Sequence, residues 1–178
     1  MKIIFIADFF VEQILGCGEL NNDELLQMLV ADNHEVIKIN SHNLTESFIK
    51  NNKNAHFIIA NFVNIKDALI ECFYDKKYVI YEHDHKYMQS RNPGLYADFR
   101  APPDTLVNVA FYQNAQAVLC QSQFHLEIIK LNLPLENLVN LSGNIWSTSS
   151  LNWMLKLSRK EKKAECSIMY SQIPHKNT

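Results

Sequence analysis

The chain is 178 residues long, 47% hydrophobic and 20% charged, with a formal net charge of −2. That is enough for one good core plus a short appendage, and the mild acidity gives no electrostatic case for a nucleic-acid or anionic membrane surface. No apolar run approaches the roughly 18 to 20 residues of a membrane span. Cys17, Cys72, Cys120 and Cys166 are far apart with no CxxC pair, which argues against a zinc site or disulfide framework and fits a reducing cytoplasm.

Residues 2–7, KIIFIA, form a continuous apolar run, read as a strand buried on both faces and not as a signal peptide, because Asp8 interrupts it. A loop ending in Gly16-Cys17-Gly18-Glu19 follows, and Asn21 with Glu24 three residues later predicts a capping-box helix start. Residues 34–40 alternate and predict a second strand, residues 44–51 a short helix, and residues 56–60 a third strand. Asn64 is the expected cap of a helix whose apolar face is Ile65, Ala68, Leu69, Cys72 and Phe73. Residues 78–81 predict a fourth strand. Pro102-Pro103 opens an expected helix carrying Leu106, Val109 and Ala110. Residues 117–120 predict a fifth strand, Ser122 the N-cap of the next helix, and residues 138–141 a sixth strand ending at Ser142-Gly143-Asn144. Alternating strands and helices predict an α/β, doubly wound, Rossmann-like parallel sheet of about six strands with helices on both faces. Trp146 and Trp153 read as packing anchors. The basic end of residues 151–163 reads as a solvated helix terminus.

The fourth strand runs straight into Glu82, His83, Asp84, His85, Lys86 and Tyr87, with Arg91 and Asn92 close behind. Open α/β sheets hold ligands beyond the carboxyl ends of their strands, so this cluster is the candidate site. Asp84 could orient His83 or take a proton from a hydroxyl. Lys86 and Arg91 suit a phosphorylated group or a diphosphate, or else a solvated loop. Gly16 and Gly18 before a helix offer backbone N–H groups to an anion, or form a turn needing positive φ. A metal is not expected. His83 and His85 share one face of an extended chain while Asp84 points away, and no third ligand is placed.

In their order, KIIFIA, Gly16-Cys17-Gly18-Glu19, His83-Asp84, Cys120-Gln121-Ser122 and Gly143-Asn144 resemble the N-terminal domain of a GT-B glycosyltransferase of the large retaining family 4. EHDHKY, RNP and SGNIW are similar to phage and bacterial members of that type. The resemblance covers residues 1–150, and Cys17 departs from the family's glycine at that point. It implies His83 and Asp84 at the reacting centre. It also implies Gly16, Gly18, Glu19, His85, Lys86, Tyr87, Arg91, Asn92, Ser122 and Asn144 near donor or acceptor. The substrate would be a nucleotide-sugar donor with a sugar, glycan or other hydroxyl compound as acceptor, and no cofactor is implied. Residues 151–165 would be a cross-over helix, and residues 166–178 the first strand of a donor-binding domain that the chain does not contain. We therefore expect a fragment inactive alone, with an apolar face that favours a homodimer. The competing expectation is a non-catalytic module that holds a nucleotide or sugar with a partner chain. A modifier of DNA bases is a third, which the acidity does not support.

Overall fold

The computed structural model describes residues 1–165. The strand expected at residues 166–171 lies outside the described residues. The sheet is built from β1 (Lys2–Ala7), β2 (Glu35–Asn40), β3 (His56–Ile59), β4 (Lys77–Glu82), β5 (Ala117–Cys120) and β6 (Leu138–Asn140). All six pair in parallel in the order β2-β1-β3-β4-β5-β6. The chain steps one way from β1 to β2, then reverses and steps the other way from β3 to β6. The sheet is therefore doubly wound, with its switch between β1 and β3.

The helices are α1 (Cys17–Ala31), α2 (Glu46–Asn51), α3 (Asp67–Ile70), α4 (Val109–Asn114), α5 (Gln123–Asn132) and α6 (Thr148–Ser158). α1 covers one face of the sheet, where Leu26 packs with Phe5, Ala7, Phe10, Ala60 and Tyr81. The opposite face carries the larger core. There Ile4, Ile6, Phe57, Ile80 and Val118 meet Ile49 of α2, Leu69 of α3, Phe111 of α4 and Ile129 of α5. Its centre is aromatic: Phe111 stacks on Tyr78 at 5.0 Å between centroids, and Tyr78 donates to the Phe111 carbonyl at 2.6 Å. Such burial, at about 25 cal/mol per Å² of apolar surface, is the main force holding the layers together.

Three helix starts differ from expectation. α1 begins five residues early, with Gly16 in place of Asn21 as N-cap and no side chain capping it. Asn21 and Asn22 are not caps; both are buried at the sheet end. Asn64 does not cap α3, whose N-cap is Lys66. Its N–H goes instead to the buried Asp8 carboxylate at 3.0 Å, and the Val63 N–H goes there at 3.1 Å. That clamp leaves room for one α-turn followed by a 3-10 turn, Glu71–Phe73, where a single longer helix was expected. Leu106 is not helical: it bridges Met88 antiparallel, and the Val107 N–H donates to the Tyr87 carbonyl at 2.8 Å. α4 starts only after Asn108, whose φ is +56°.

The whole sheet lies in one compact unit, Met1–Asn144, and a second unit begins at Ile145. Within the second, Ser147 caps α6 by accepting the Ser150 N–H at 3.0 Å. Trp146 and Trp153, expected as packed anchors, are exposed.

Asp8 sits at the switch point, where it also accepts the Ser41 hydroxyl. Asp8→Ala strands that hydroxyl and two amides together. It should lower stability by about 2 kcal/mol, read from urea midpoints; an unchanged midpoint would show that the clamp carries no weight.

Candidate functional site

Consecutive residues of a strand point to opposite faces, and this splits the polar cluster in two. Ile80 belongs to the larger core and Tyr81 to the α1 face. Glu82 therefore turns towards the α4 side and His83 towards α1.

On the α1 side, His83 is held at both ring nitrogens. Gln121, the first residue beyond β5, donates from Nε2 to His83 Nδ1 at 2.7 Å. His83 Nε2–H then donates to Asn22 Oδ1 at 3.0 Å. The two bonds select one tautomer, protonated at Nε2. The ring lies 4.5 Å from the Tyr81 ring, and the Tyr81 hydroxyl donates to Asn21 Oδ1. Burial, then the nearby Lys86 charge, push the His83 pKa down to about 4. The imidazole is neutral at physiological pH.

On the other side, the Glu82 carboxylate is fully buried. It accepts from the Tyr112 hydroxyl, the Asp84 N–H at 2.8 Å and Lys86 Nζ at 3.3 Å. Burial alone would raise its pKa. The Lys86 ammonium and the Tyr112 hydroxyl reverse this and hold the carboxyl well below the usual carboxylate range. Lys86 is itself only 3% exposed, with its ammonium 5.6 Å from the Phe62 ring centroid. It is the partner of a buried charge and not a solvated loop residue. Asp84 stands between two cations, 3.8 Å from Lys86 Nζ and 3.8 Å from Arg91 Nη1.

The remaining expected residues are distributed as follows. His85 has φ of +55°. Its Nδ1 lies 3.0 Å from the Tyr87 hydroxyl and its ring 4.4 Å from that of His125. Burial, then His125, bring its pKa down to about 4. Tyr87 is fully buried, and burial raises its hydroxyl pKa. Asn92 is buried and accepts the Gly94 N–H at 3.0 Å, capping the turn Pro93–Leu95. Ser122 caps α5 through the His125 N–H at 3.1 Å. Asn144 is exposed beyond β6, two strands from β4. Gly16 is extended at φ −122°, so positive φ does not explain it. A Cβ there would meet the Glu19 carboxylate oxygen at 2.2 Å. Glu19 thus folds its own charge over the α1 N-terminus, the place where an external anion was expected, and an anion arriving there has to displace it. Gly18 is helical, with open space where a Cβ would be.

Asn22 and Gln121, the two residues that hold His83, escaped the sequence reading. Gln121 was findable. β4 and β5 are parallel with Glu82 opposite Cys120, so the next residues, His83 and Gln121, must be neighbours. Asn22 was hidden by reading the Asn-Asn pair as a helix start. Among the described residues, no group of three or more His, Cys, Asp or Glu could hold a metal ion. Nor is any helix there long and apolar enough to cross a membrane.

No protein-family model matches the chain, and no curated protein matches it significantly. Among solved structures it is similar to an alpha-glucosyltransferase in complex with UDP and a 13-mer DNA containing a HMU base, at 15% identity and TM-score 0.49, covering 79% of this chain and 41% of that one. A second, an alpha-glucosyltransferase with UDP and a 13-mer DNA containing a central A:G mismatch, matches at 15% identity and TM-score 0.46, covering 78% and 40%. The chain thus spans well under half the length of these proteins. At such identities the likeness is one of backbone arrangement, and nothing about substrate follows from it.

Two predictions follow from the electrostatics. His83 and His85 have folded pKa values of about 4, below the ordinary 6.5, and His125 is lowered too. The unfolded chain therefore binds more protons between these limits, and stability is full above about pH 6.5 and lost as pH falls towards 4. His83→Gln should flatten that slope in a Tm-versus-pH series; an unaltered slope would mean that His83 is not a buried neutral base. Glu82→Ala leaves the Lys86 ammonium buried without its closest carboxylate, and should cost about 3–5 kcal/mol in urea unfolding.

Proposed function

We propose that this chain is the N-terminal, acceptor-side part of a GT-B glycosyltransferase of the family 4 type, which moves a sugar from a nucleotide-sugar donor to a hydroxyl acceptor. The observation that carries the reading is His83: a neutral imidazole of defined tautomer at the carboxyl end of β4, bonded to Asn22, the sixth residue of α1. Glycosyl transfer passes through a transition state with positive charge on the sugar. A neutral ring can stand beside that charge, whereas an imidazolium would oppose it. With its Nε2–H, His83 can offer a hydrogen bond to a sugar hydroxyl once Asn22 yields. The α1 N-terminus supplies N–H groups and a favourable dipole to a donor phosphate if Glu19 swings away. The donor-binding half is to come from chain beyond these 178 residues or from a partner. A cytoplasmic setting fits the widely spaced cysteines.

One observation favours the alternative, a non-catalytic nucleotide- or sugar-binding module. Both His83 ring nitrogens are already engaged within the protein, as in a structural histidine.

The test is a donor screen on the gene product that contains this chain, with sugar acceptors and a hydroxymethylated DNA strand as arms. His83→Ala should lower kcat/KM by roughly 100- to 1,000-fold, as loss of a reacting-centre donor does, with the far-UV dichroism unchanged. Near-normal turnover in that variant would remove His83 from the chemistry and leave the binding module.

A further inference from the structure

The Lys86 side of the sheet edge holds a cavity of about 200 Å³. Its walls come from the chain after β3 and the chain after β4, on the face away from His83. The volume is below the roughly 300–1,000 Å³ of drug-sized sites, so it suits one ring-sized group. Phe62 and Ile65 give it an apolar wall. Lys86 and Arg91 bring donors, Asp67 a carboxylate acceptor, and Gln89 an amide. Asn108 lines it too; its amide nitrogen is committed to the Lys86 carbonyl at 3.0 Å, which leaves its oxygen as an acceptor.

Charge decides which occupant fits. Lys86 lies 3.3 Å from Glu82 and 3.8 Å from Asp84, and Arg91 lies 3.8 Å from Asp84. Both cations already have carboxylate counter-ions, and Asp67 adds a third acid to the same neighbourhood. No net positive charge remains for a phosphate or carboxylate. Both donors and acceptors beside an apolar wall instead match a neutral polyol ring. The backbone agrees. Arg91 sits at φ +51°, held by its N–H to the Met88 carbonyl at 3.1 Å. Strain of this kind at a non-glycine residue gathers at ligand sites.

We propose that this cavity seats one neutral, pyranose-sized sugar ring. Its role as the acceptor subsite, though not the binding itself, rests on the glycosyltransferase reading. It deepens that reading by naming a neutral sugar in place of a phosphorylated acceptor. The cavity and the His83 pair share the end of β4, because Glu82 and His83 are consecutive.

The experiment is an amide-shift titration of the chain with methyl glycosides of glucose, galactose, mannose and N-acetylglucosamine, and separately with inorganic phosphate. At least one glycoside should shift the Gln89, Arg91 and Asn108 amides saturably in the millimolar range. Asp67→Ala and Gln89→Ala, both at exposed positions, should weaken that response about tenfold while leaving the rest of the spectrum in place. Phosphate moving those amides while no glycoside does would overturn the proposal in favour of an anion site. No response to any glycoside would overturn it outright. Glycoside shifts without transfer by the gene product would sink the glycosyltransferase reading alone; transfer without such shifts would sink the cavity alone.

Discussion

A carboxylate removed from water must be compensated where it stands, and the buried Glu82 imposes that requirement on everything around it. Its partners come from three directions: Tyr112 from α4, the Asp84 N–H from the strand's own extension, and Lys86 from the loop beyond. To deliver Lys86, the chain after β4 must turn back at once, and His85 takes a left-handed φ in doing so. The returning segment then pairs with residues 106 and 107, which pushes the start of α4 to Val109. One buried charge thus sets the loop path, the start of a helix and the cation beside the Phe62 ring. Its reach crosses the sheet. After burial, Lys86 is the largest influence lowering the proton affinity of His83.

The alternation of a strand does the rest. Six polar residues, Glu82 to Tyr87, follow one another in sequence, yet the period of two distributes them to separate environments. His83 joins the α1 face, held by Asn22 and Gln121. Glu82 and Lys86 join the face built from α2 to α5. Asp84 remains near the tip, facing both cations.

Much of this was legible in the residues. All six strands follow from short apolar or alternating runs, with shifts of at most a residue at their ends. The location of the polar cluster beyond β4 was equally plain. Where the reading failed, a tertiary partner had overridden a local signal. Asn21 and Asn64 look like caps because Asn is a good cap. In the fold, Asn21 serves the Tyr81 hydroxyl and the Asn64 amide serves Asp8, fifty-six residues away. Nothing near either asparagine in sequence announces those partners. Leu106 fits a helical face by spacing, but an isolated bridge to Met88 claims it. The individual site residues were the least legible. Charge type alone cannot show that Lys86 is buried in an ion pair, that Tyr87 is core, or that Asn92 is spent on a turn.

Satisfied polar groups bear directly on what chemistry this edge can support. A group already bonded on every valence is a scaffold until a ligand offers it something better. His83 is in that condition, whereas the α1 N-terminus has the Glu19 carboxylate close to Gly16 but no side-chain cap. Releasing His83 means moving Asn22, which is itself buried, so a ligand there has to replace the hydrogen bond it takes away. The Lys86–Glu82 pair is different. It is sealed by burial and by Tyr112, so opening it would leave one charge uncompensated in a medium of low dielectric. The two sides of the strand end therefore differ in what holds them: neutral hydrogen bonds around His83 on the α1 side, and a sealed ion pair on the Glu82 side.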